Sequence, residues 1–508
     1  MAEALRQLDV EEDDRPAPTN LAPALPWTAA SPRETAEARG HTFLFLTLEA
    51  DRPLAGGARY LLDEVDEVVL SRGPDRTAVR TQEPEDGRRR LYLRLPGSFV
   101  PSGRVRFVRT AEDRWLVEDA GCDAGLHVNG ERLRRALLHP DDVVEAGRCF
   151  FLLRTLSGRF VRGGVGDLDS RDVADQQPGF TTLEPLMARR LDELRQVARS
   201  ALPLILWGET GTGKEVLARG VHALSGRRGP FVALNCGTLT KGLAESQLFG
   251  HVRGAFSGAL GEAPGFVRAA DGGTFLLDEI ADLDQATQGA FLRVLQEREV
   301  VPVGSARPQK IDVRFIATSG VALEQRVAAG TFRGDLFARL NGFSYAASPV
   351  RCRRVDLGLL VAALLKKQGV TASDQPRVTL ELAWRLTRGR WRFNVRELEQ
   401  SLARGWLFAD DGLIDADHLD PEPADDDPPP AVFIPPAASA PAAPPARRQL
   451  LPVDETLRQQ LIERLRACEG NVAEVARSYR KARMQIHRWM KRLDIDPSAF
   501  RCPAPDRA

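Results

Sequence analysis

Nowhere in the 508-residue sequence do apolar residues run on for the roughly 18 positions that a membrane-spanning helix needs. Residues 1–20 lack the basic-then-apolar order of a secretory leader and are rich in Asp and Glu instead. Net charge is missing too. Seventy Lys and Arg face 70 Asp and Glu, so no overall field draws the chain to nucleic acid or to a lipid surface, and any basic patch must be local. Six cysteines (Cys122, Cys149, Cys236, Cys352, Cys468, Cys502) occur without CxxC or other metal-ligand spacing, and only seven histidines accompany them. Such spacing argues against a zinc site or a disulfide framework and for isolated thiols in a reducing compartment. These absences point to a soluble, cytoplasmic protein with no membrane partner.

What is present is multidomain. At about 100–200 residues per domain, this length implies three or four domains. Residues 1–40 mix Pro, Ala and acidic groups with little periodicity and read as a disordered arm. From 41 to 157, short alternating apolar runs (Phe43 to Leu46, Val68 to Leu70, Val105 to Val108) broken by Gly, Pro and Asp predict a β-sandwich. A Gly- and Asp-rich linker at 158–177 follows. At 178–345, apolar strands alternate with helical patterns, which predicts an α/β domain with a parallel sheet, and 346–420 reads as helical. Residues 421–450, rich in Pro and Ala, predict an extended spacer. Helical spacing at Leu457, Leu461, Ile462 and Leu465 opens a last, increasingly basic all-α segment at 451–496, before a tail at 497–508.

The chemistry concentrates in the α/β domain. The apolar strand Leu204 to Trp207 runs into Gly208-Glu209-Thr210-Gly211-Thr212-Gly213-Lys214-Glu215, and a helical pattern follows. This is the strand, loop and helix setting of a P-loop: glycines let backbone N–H groups converge on phosphates, the helix N-terminus adds its dipole, and Lys214 supplies a point charge. Some sixty residues on, the strand Thr274 to Leu277 ends in Asp278 and Glu279. Two carboxylates at a strand tip suit Mg²⁺ (Asp278) and the orientation of an attacking water (Glu279), with ATP as the phosphate donor. A third strand, Val313 to Thr318, places the Thr318 hydroxyl at a strand tip, where it can sense a γ-phosphate.

With these three strands in register, residues 180–419 resemble the AAA+ domain of sigma-54 dependent activators, also called bacterial enhancer-binding proteins. The segment Glu245 to Ala259 is similar to the family's ESELFGHxxGAFTGA, whose last six residues contact sigma-54. The resemblance implies that Gly254, Ala255, Phe256, Ser257, Gly258 and Ala259 make that contact, with Phe256 an exposed apolar anchor. An ordinary turn with a buried Phe is the alternative. Ser257 keeps the hydroxyl of the family's Thr and loses the methyl. By the same resemblance, Asn235 holds the catalytic glutamate, Arg333 and Arg339 in Phe332 to Leu340 reach the γ-phosphate of a neighbouring subunit, and Arg396 in Trp391 to Leu398 senses nucleotide. Arginines acting in trans require a ring, and the family implies a hexamer; solvated surface pairs are the alternative for either arginine. Ser319 stands where the family has Asn, and Arg392 and Phe393 where it has Pro and Gly.

The flanking segments carry resemblances of their own. Residues 451–496 resemble a Fis-type helix-turn-helix, which implies that Arg483, Gln485, His487 and Arg488 face bases or phosphates in DNA and that Lys491 and Arg492 lie near the backbone. A small basic dimerisation bundle would share this pattern. The sandwich resembles a forkhead-associated (FHA) domain, with Arg72 and Ser102 matching its phosphate-binding residues, although Val105 and Ala124 replace its histidine and first asparagine. That implies a phosphothreonine protein or Ser/Thr kinase product as partner; a sandwich serving oligomer contacts is the alternative. Taken together, the expected function is a sigma-54 dependent regulator that binds upstream DNA, assembles as a ring and uses ATP hydrolysis to bring RNA polymerase holoenzyme to the open complex. A chaperone-type protein remodeller and a DNA-bound adaptor with weak ATPase activity are the alternatives.

Overall fold

A computed structural model describes residues 40–97, 104–122, 125–156, 166–173, 177–240 and 242–418, with scattered positions between 461 and 478. Ser102, Ala124 and the six DNA-contact candidates Arg483, Gln485, His487, Arg488, Lys491 and Arg492 lie outside the described residues. The chain divides into two compact units, Met1–Pro435 and Pro436–Ala508. In the second, Leu461, Leu465 and Val475 are buried helical positions, and the first two have the i, i+4 spacing of one helix face. Among the described residues no helix is long and apolar enough to cross a membrane.

The first unit opens with β1 (His41–Glu49), β2 (Ala58–Leu61), β3 (Glu67–Arg72), β4 (Thr77–Gln82), β5 (Arg89–Leu95), β6 (Val105–Arg109), β7 (Trp115–Asp119), β8 (Leu126–Val128), β9 (Glu131–Arg132), β10 (Arg135–Leu137), β11 (Val143–Ala146), β12 (Cys149–Leu156) and β13 (Leu168–Asp169). They form two sheets, ordered β13-β2-β1-β12-β11-β8-β9 and β10-β7-β6-β3-β5-β4. The segment read as linker is partly built into the first of these. β13 pairs with β2, and Arg76, whose side chain is wholly buried, ion-pairs with Glu49 at 2.8 Å and Asp169 at 3.3 Å. A buried guanidinium is stable only when matched in this way, so the pair ties 166–173 to the sandwich.

The α/β body follows: α1 (Pro185–Ala198), β14 (Leu204–Trp207), α2 (Lys214–Leu224), β15 (Phe231–Asn235), α3 (Ala244–Phe249), α4 (Phe266–Ala269), β16 (Thr274–Asp278), α5 (Gln285–Glu297), the hairpin β17 (Glu299–Val300) and β18 (Gln309–Lys310), β19 (Arg314–Ser319), α6 (Leu323–Ala328), α7 (Gly334–Leu340) and β20 (Phe343–Ala346). The sheet runs β15-β16-β19-β14-β20, and every pairing in it is parallel. Both faces are covered, which is why its strands read as unbroken apolar runs. Leu276 and Ile316 pack with Leu191 and Val221 from α1 and α2 on one side; Phe275, Leu277 and Phe315 pack with Phe291 and Leu336 from α5 and α7 on the other. A Cβ on Gly273 would lie 2.0 Å from the Pro230 carbonyl oxygen, so this strand entry needs glycine.

The lid comprises α8 (Leu357–Lys367), the short strands β21 (Arg377–Val378) and β22 (Leu413–Ile414), α9 (Leu380–Arg388) and α10 (Asn394–Leu407). It shares a core with the sandwich. Leu44, Leu46, Phe151 and Leu153 point into the sandwich, whereas Phe43, Phe45, Phe150 and Leu152 on the opposite face of the same strands pack with Val361, Leu365 and Leu382 of the lid. The strand β1 is therefore buried on both faces, and the alternation expected of a free sandwich gives way to the continuous run Phe43 to Leu46. Phe150 meets Trp384 edge to face at 5.2 Å, and the Val378 N–H donates to the Ala50 carbonyl at 2.8 Å across the boundary. We expect Phe150→Ala to remove about 3–5 kcal/mol of stability. In urea unfolding followed by lid tryptophan fluorescence, the lid should melt earlier together with the sandwich.

Candidate active site

In a parallel sheet the C-terminal strand ends share one edge, and ligands bind outside it. Here that edge gathers the loop after β14, Asn235, Asp278 and Thr318. The register sets their neighbours: Asn235 lies opposite Asp278, Leu277 opposite Ala317, and Trp207 opposite Ser319.

After β14 the chain makes a tight loop with Gly208, Gly211 and Gly213 all at positive φ. Gly213 occupies the N-cap of α2 and has no side chain to cap it, so the first N–H groups of that helix remain available to an anion. Lys214 is buried, and its Nζ donates to the Gly208 carbonyl at 2.7 Å and lies 3.5 Å from Glu279 Oε1. Thr212 Oγ1 donates to the Glu209 carbonyl at 2.8 Å. Two loop positions turn away from the cradle. Glu215 forms an i, i+4 pair with Arg219, and Glu209 reaches Arg351 and Asn394 in the lid. Arg351 holds the Glu209 carboxyl below its ordinary value, so this pair persists above pH 4.5 and is lost as the pH falls through the depressed value.

Thr318 joins the two carboxylate positions. Its Oγ1 donates to Asp278 Oδ1 at 2.6 Å and accepts the Glu279 N–H at 2.9 Å. Glu279 has φ 53°, an unusual conformation for a residue other than Gly, and its Oε2 accepts the Gly320 N–H at 2.9 Å. Asn235 lies beside the carboxylate pair and bonds to its first member. Its Nδ2 donates to Asp278 Oδ2 at 3.3 Å, because parallel pairing sets it opposite Asp278 while the turn at Glu279 carries that carboxylate toward Gly320. Among the described residues no cluster of three or more His, Cys, Asp or Glu could hold a metal. Asp278 is the carboxylate that would hold a Mg²⁺ here. Burial, with Asp278, Asp282 and Glu279 near, pushes the Cys236 thiol up and leaves it inert.

The remaining candidates are spread over the surface. Arg396 is exposed, and its backbone N–H donates to the Gly211 carbonyl at 3.3 Å. Arg333 at the N-cap of α7 and Arg339 in its last turn are both exposed; Arg333 forms a bidentate pair with Asp335 at 3.0 and 2.7 Å. The loop of Gly254 to Ala259 is closed by the Gly254 N–H on the Ala259 carbonyl at 2.9 Å. Phe256, expected as an exposed anchor, is half-buried and stacks edge-on with His251 at 5.0 Å, while the neighbouring Leu260 is 88% exposed. Ala255 packs on Gly304 in the hairpin loop, where an added Cβ would lie 2.7 Å away. Arg72 ends β3 on the sandwich surface.

With this geometry in view, residues 180–345 match the sigma-54 interaction domain family and residues 351–431 match the AAA+ ATPase lid domain family. The chain carries a sigma-54 interaction domain followed by an AAA+ lid. The domain also aligns with curated relatives. The Response regulator protein FleR of Pseudomonas aeruginosa is 40% identical over 285 residues, 54% of this chain and 59% of FleR. The Sigma54-dependent transcriptional regulator SfnR of Pseudomonas fluorescens is 44% identical over 239 residues, 46% of this chain and 65% of SfnR. The chain spans between half and two thirds of the length of such relatives. A crystal structure of NtrX from Brucella abortus in complex with ADP aligns at 29% identity over 64% of this chain and 72% of that one, with a TM-score of 0.44.

Within the sigma-54 interaction domain, the sequence-derived candidates Lys214, Asp278, Glu279, Thr318 and Asn235 come together at one edge, whereas Arg333, Arg339 and the Gly254 to Ala259 loop do not join them. Arg351 and Asn394 carry no motif that marks them as site residues in the sequence. The run Arg351, Arg353, Arg354 shortly after β20 was the available signal. We expect Thr318→Val, which keeps the shape and deletes the hydroxyl, to leave Asp278 and the Glu279 N–H short of a partner. A loss of about 1–3 kcal/mol in urea titration is the predicted result.

Proposed function

We propose that this protein is a sigma-54 dependent transcription regulator whose AAA+ domain hydrolyses ATP in a ring and uses the energy to drive RNA polymerase holoenzyme into the open complex. The observation that carries the reading is the meeting of Lys214, Asp278, Glu279 and Thr318 at the edge of a parallel sheet, in the domain that also bears the Gly254 to Ala259 loop. Phosphoryl transfer asks the protein for positioning and charge stabilisation more than for covalent chemistry. In this assignment the loop after β14, through its N–H groups at Gly211, Gly213 and Lys214, and the Lys214 ammonium hold the phosphates. Asp278 supports Mg²⁺, which would neutralise charge on the phosphates. Glu279, fixed by Gly320 and Thr318, orients water.

Arg333 and Arg339 lie on the surface and serve a neighbouring protomer's nucleotide, Arg333 exchanging its Asp335 partner for phosphate. That exchange makes activity depend on assembly, which fits a closed ring of copies; a hexamer is the assignment. The sigma-54 contact comprises residues 254–259 with Leu260 as the exposed apolar side chain. DNA binding is assigned to the second unit through Arg483, Gln485, His487, Arg488, Lys491 and Arg492, and a phosphothreonine partner to Arg72 with Ser102.

The test is ATP-dependent open-complex formation by the full chain with sigma-54 holoenzyme, comparing wild type, Lys214→Ala and Ser257→Ala. Opening by wild type that both variants lose supports the proposal. Hydrolysis by wild type without opening would assign the ring to another protein client, and opening unchanged in Lys214→Ala would support an adaptor.

A further inference from the structure

We infer that Arg351 and Asn394 are positioning residues that latch the lid onto the phosphate-binding loop through Glu209, while the N-terminal sandwich grips the same lid segment from its other side. The inference rests on the nucleotide-binding reading of that loop.

Glu209 sits inside the glycine loop, yet its carboxylate serves the lid. Arg351 donates Nη1 to Oε2 at 2.7 Å and Nη2 to Oε1, and Asn394 donates Nδ2 to Oε2 at 3.2 Å. The loop backbone is held in the same direction. The Thr210 carbonyl accepts Asn394 Nδ2 at 3.0 Å, the Gly211 carbonyl accepts the Val395 N–H at 2.9 Å, and the Thr212 carbonyl accepts Arg353 Nη2 at 3.4 Å. A peptide unit is planar with C=O and N–H pointing opposite ways. Holding the carbonyls of residues 210–212 toward the lid therefore aims the N–H groups of residues 211–213 away from it, as phosphate donors need to point. The fit is close: a Cβ on Gly211 would lie 2.0 Å from the Phe393 carbonyl oxygen, so this glycine is required by the lid as well as by any phosphate.

Asn394 is fully buried at φ 54°, a conformation Asn tolerates better than most residues, and its Oδ1 accepts the Val350 N–H at 2.9 Å. It thus joins α10, the loop and the segment bearing Arg351. That segment is anchored twice more. Arg154 of the sandwich donates to the Cys352 carbonyl at 3.3 Å, and buried Asp356 accepts the Thr182 hydroxyl and the Leu183 N–H, each at 2.7 Å. A half-buried, bidentate Arg–carboxylate pair with a third donor is of the stronger, geometry-defining kind.

The experiment uses the full chain as wild type, Arg351→Met, Glu209→Gln, the double variant and Arg351→Lys. Affinity for a fluorescent ATP analogue and steady-state KM and kcat are measured, with hydrogen exchange of the 394–396 backbone followed without nucleotide. Under the latch, each single variant raises Kd and KM roughly three- to tenfold with kcat less affected, and the double is no worse than the worse single. Exchange at Val395 rises in each, and Arg351→Lys recovers part of both effects. Additive losses with unchanged exchange would overturn the latch, since they indicate that each residue meets the ligand separately. If wild type neither binds nor hydrolyses the analogue, the nucleotide reading fails on its own, and the exchange data alone decide whether the latch stands.

Discussion

The lid is held on two sides, and the rest of the architecture is arranged around that constraint. On one side Phe43, Phe45, Phe150 and Leu152 bury its helices; on the other, Asn394, Val395 and Arg351 bond it to the loop after β14. Packed interiors have little free volume, so a lid seated this way cannot shift relative to the body without breaking named bonds or opening a void. The sandwich is consequently an extension of the lid core. Its outer sheet face would be an exposed apolar surface if it stood alone.

The site itself depends on a different and older constraint of parallel sheets. Because all five strands run the same way, Asp278, Asn235, Thr318 and the glycine loop arrive at one edge without any long-range side-chain recognition. Thr318 then performs a local task that neither carboxylate can perform for itself. One hydroxyl donates to Asp278 and receives the N–H of Glu279, so the two acids keep a fixed separation in orientation. Lys214, buried beside Glu279, supplies the balancing positive charge.

Some of this was legible in the residues and some was not, for reasons that can be named. The P-loop and the strand-end carboxylates are local patterns, since each needs only a strand, a turn and the next helix. Arg351 was not legible because its partner lies 142 positions away and an arginine after a turn has many surface uses. The position of Glu209 in the loop points to the phosphates, although its side chain leaves the cradle for Arg351 and Asn394. Phe256 was expected outside and lies half-buried on His251, because two flanking glycines permit exposure without requiring it. In β1 the continuous run Phe43 to Leu46 already carried the mark of a strand covered on both faces; the covering element, however, lies some 300 residues on.

By itself, then, the sequence determined the parallel α/β domain, the phosphate loop, the carboxylate pair and the β-rich N-terminal region. Those features follow from hydrophobic period, glycine placement and short-range spacing, all of which act within a few tens of residues. Only the tertiary structure decided that the sandwich and lid share one core, that Asn235 serves Asp278, and that Glu209 belongs to the lid. Each of these depends on which side chain has an unmatched charge or an uncovered face when distant segments meet, and that is settled by packing and desolvation across the whole fold.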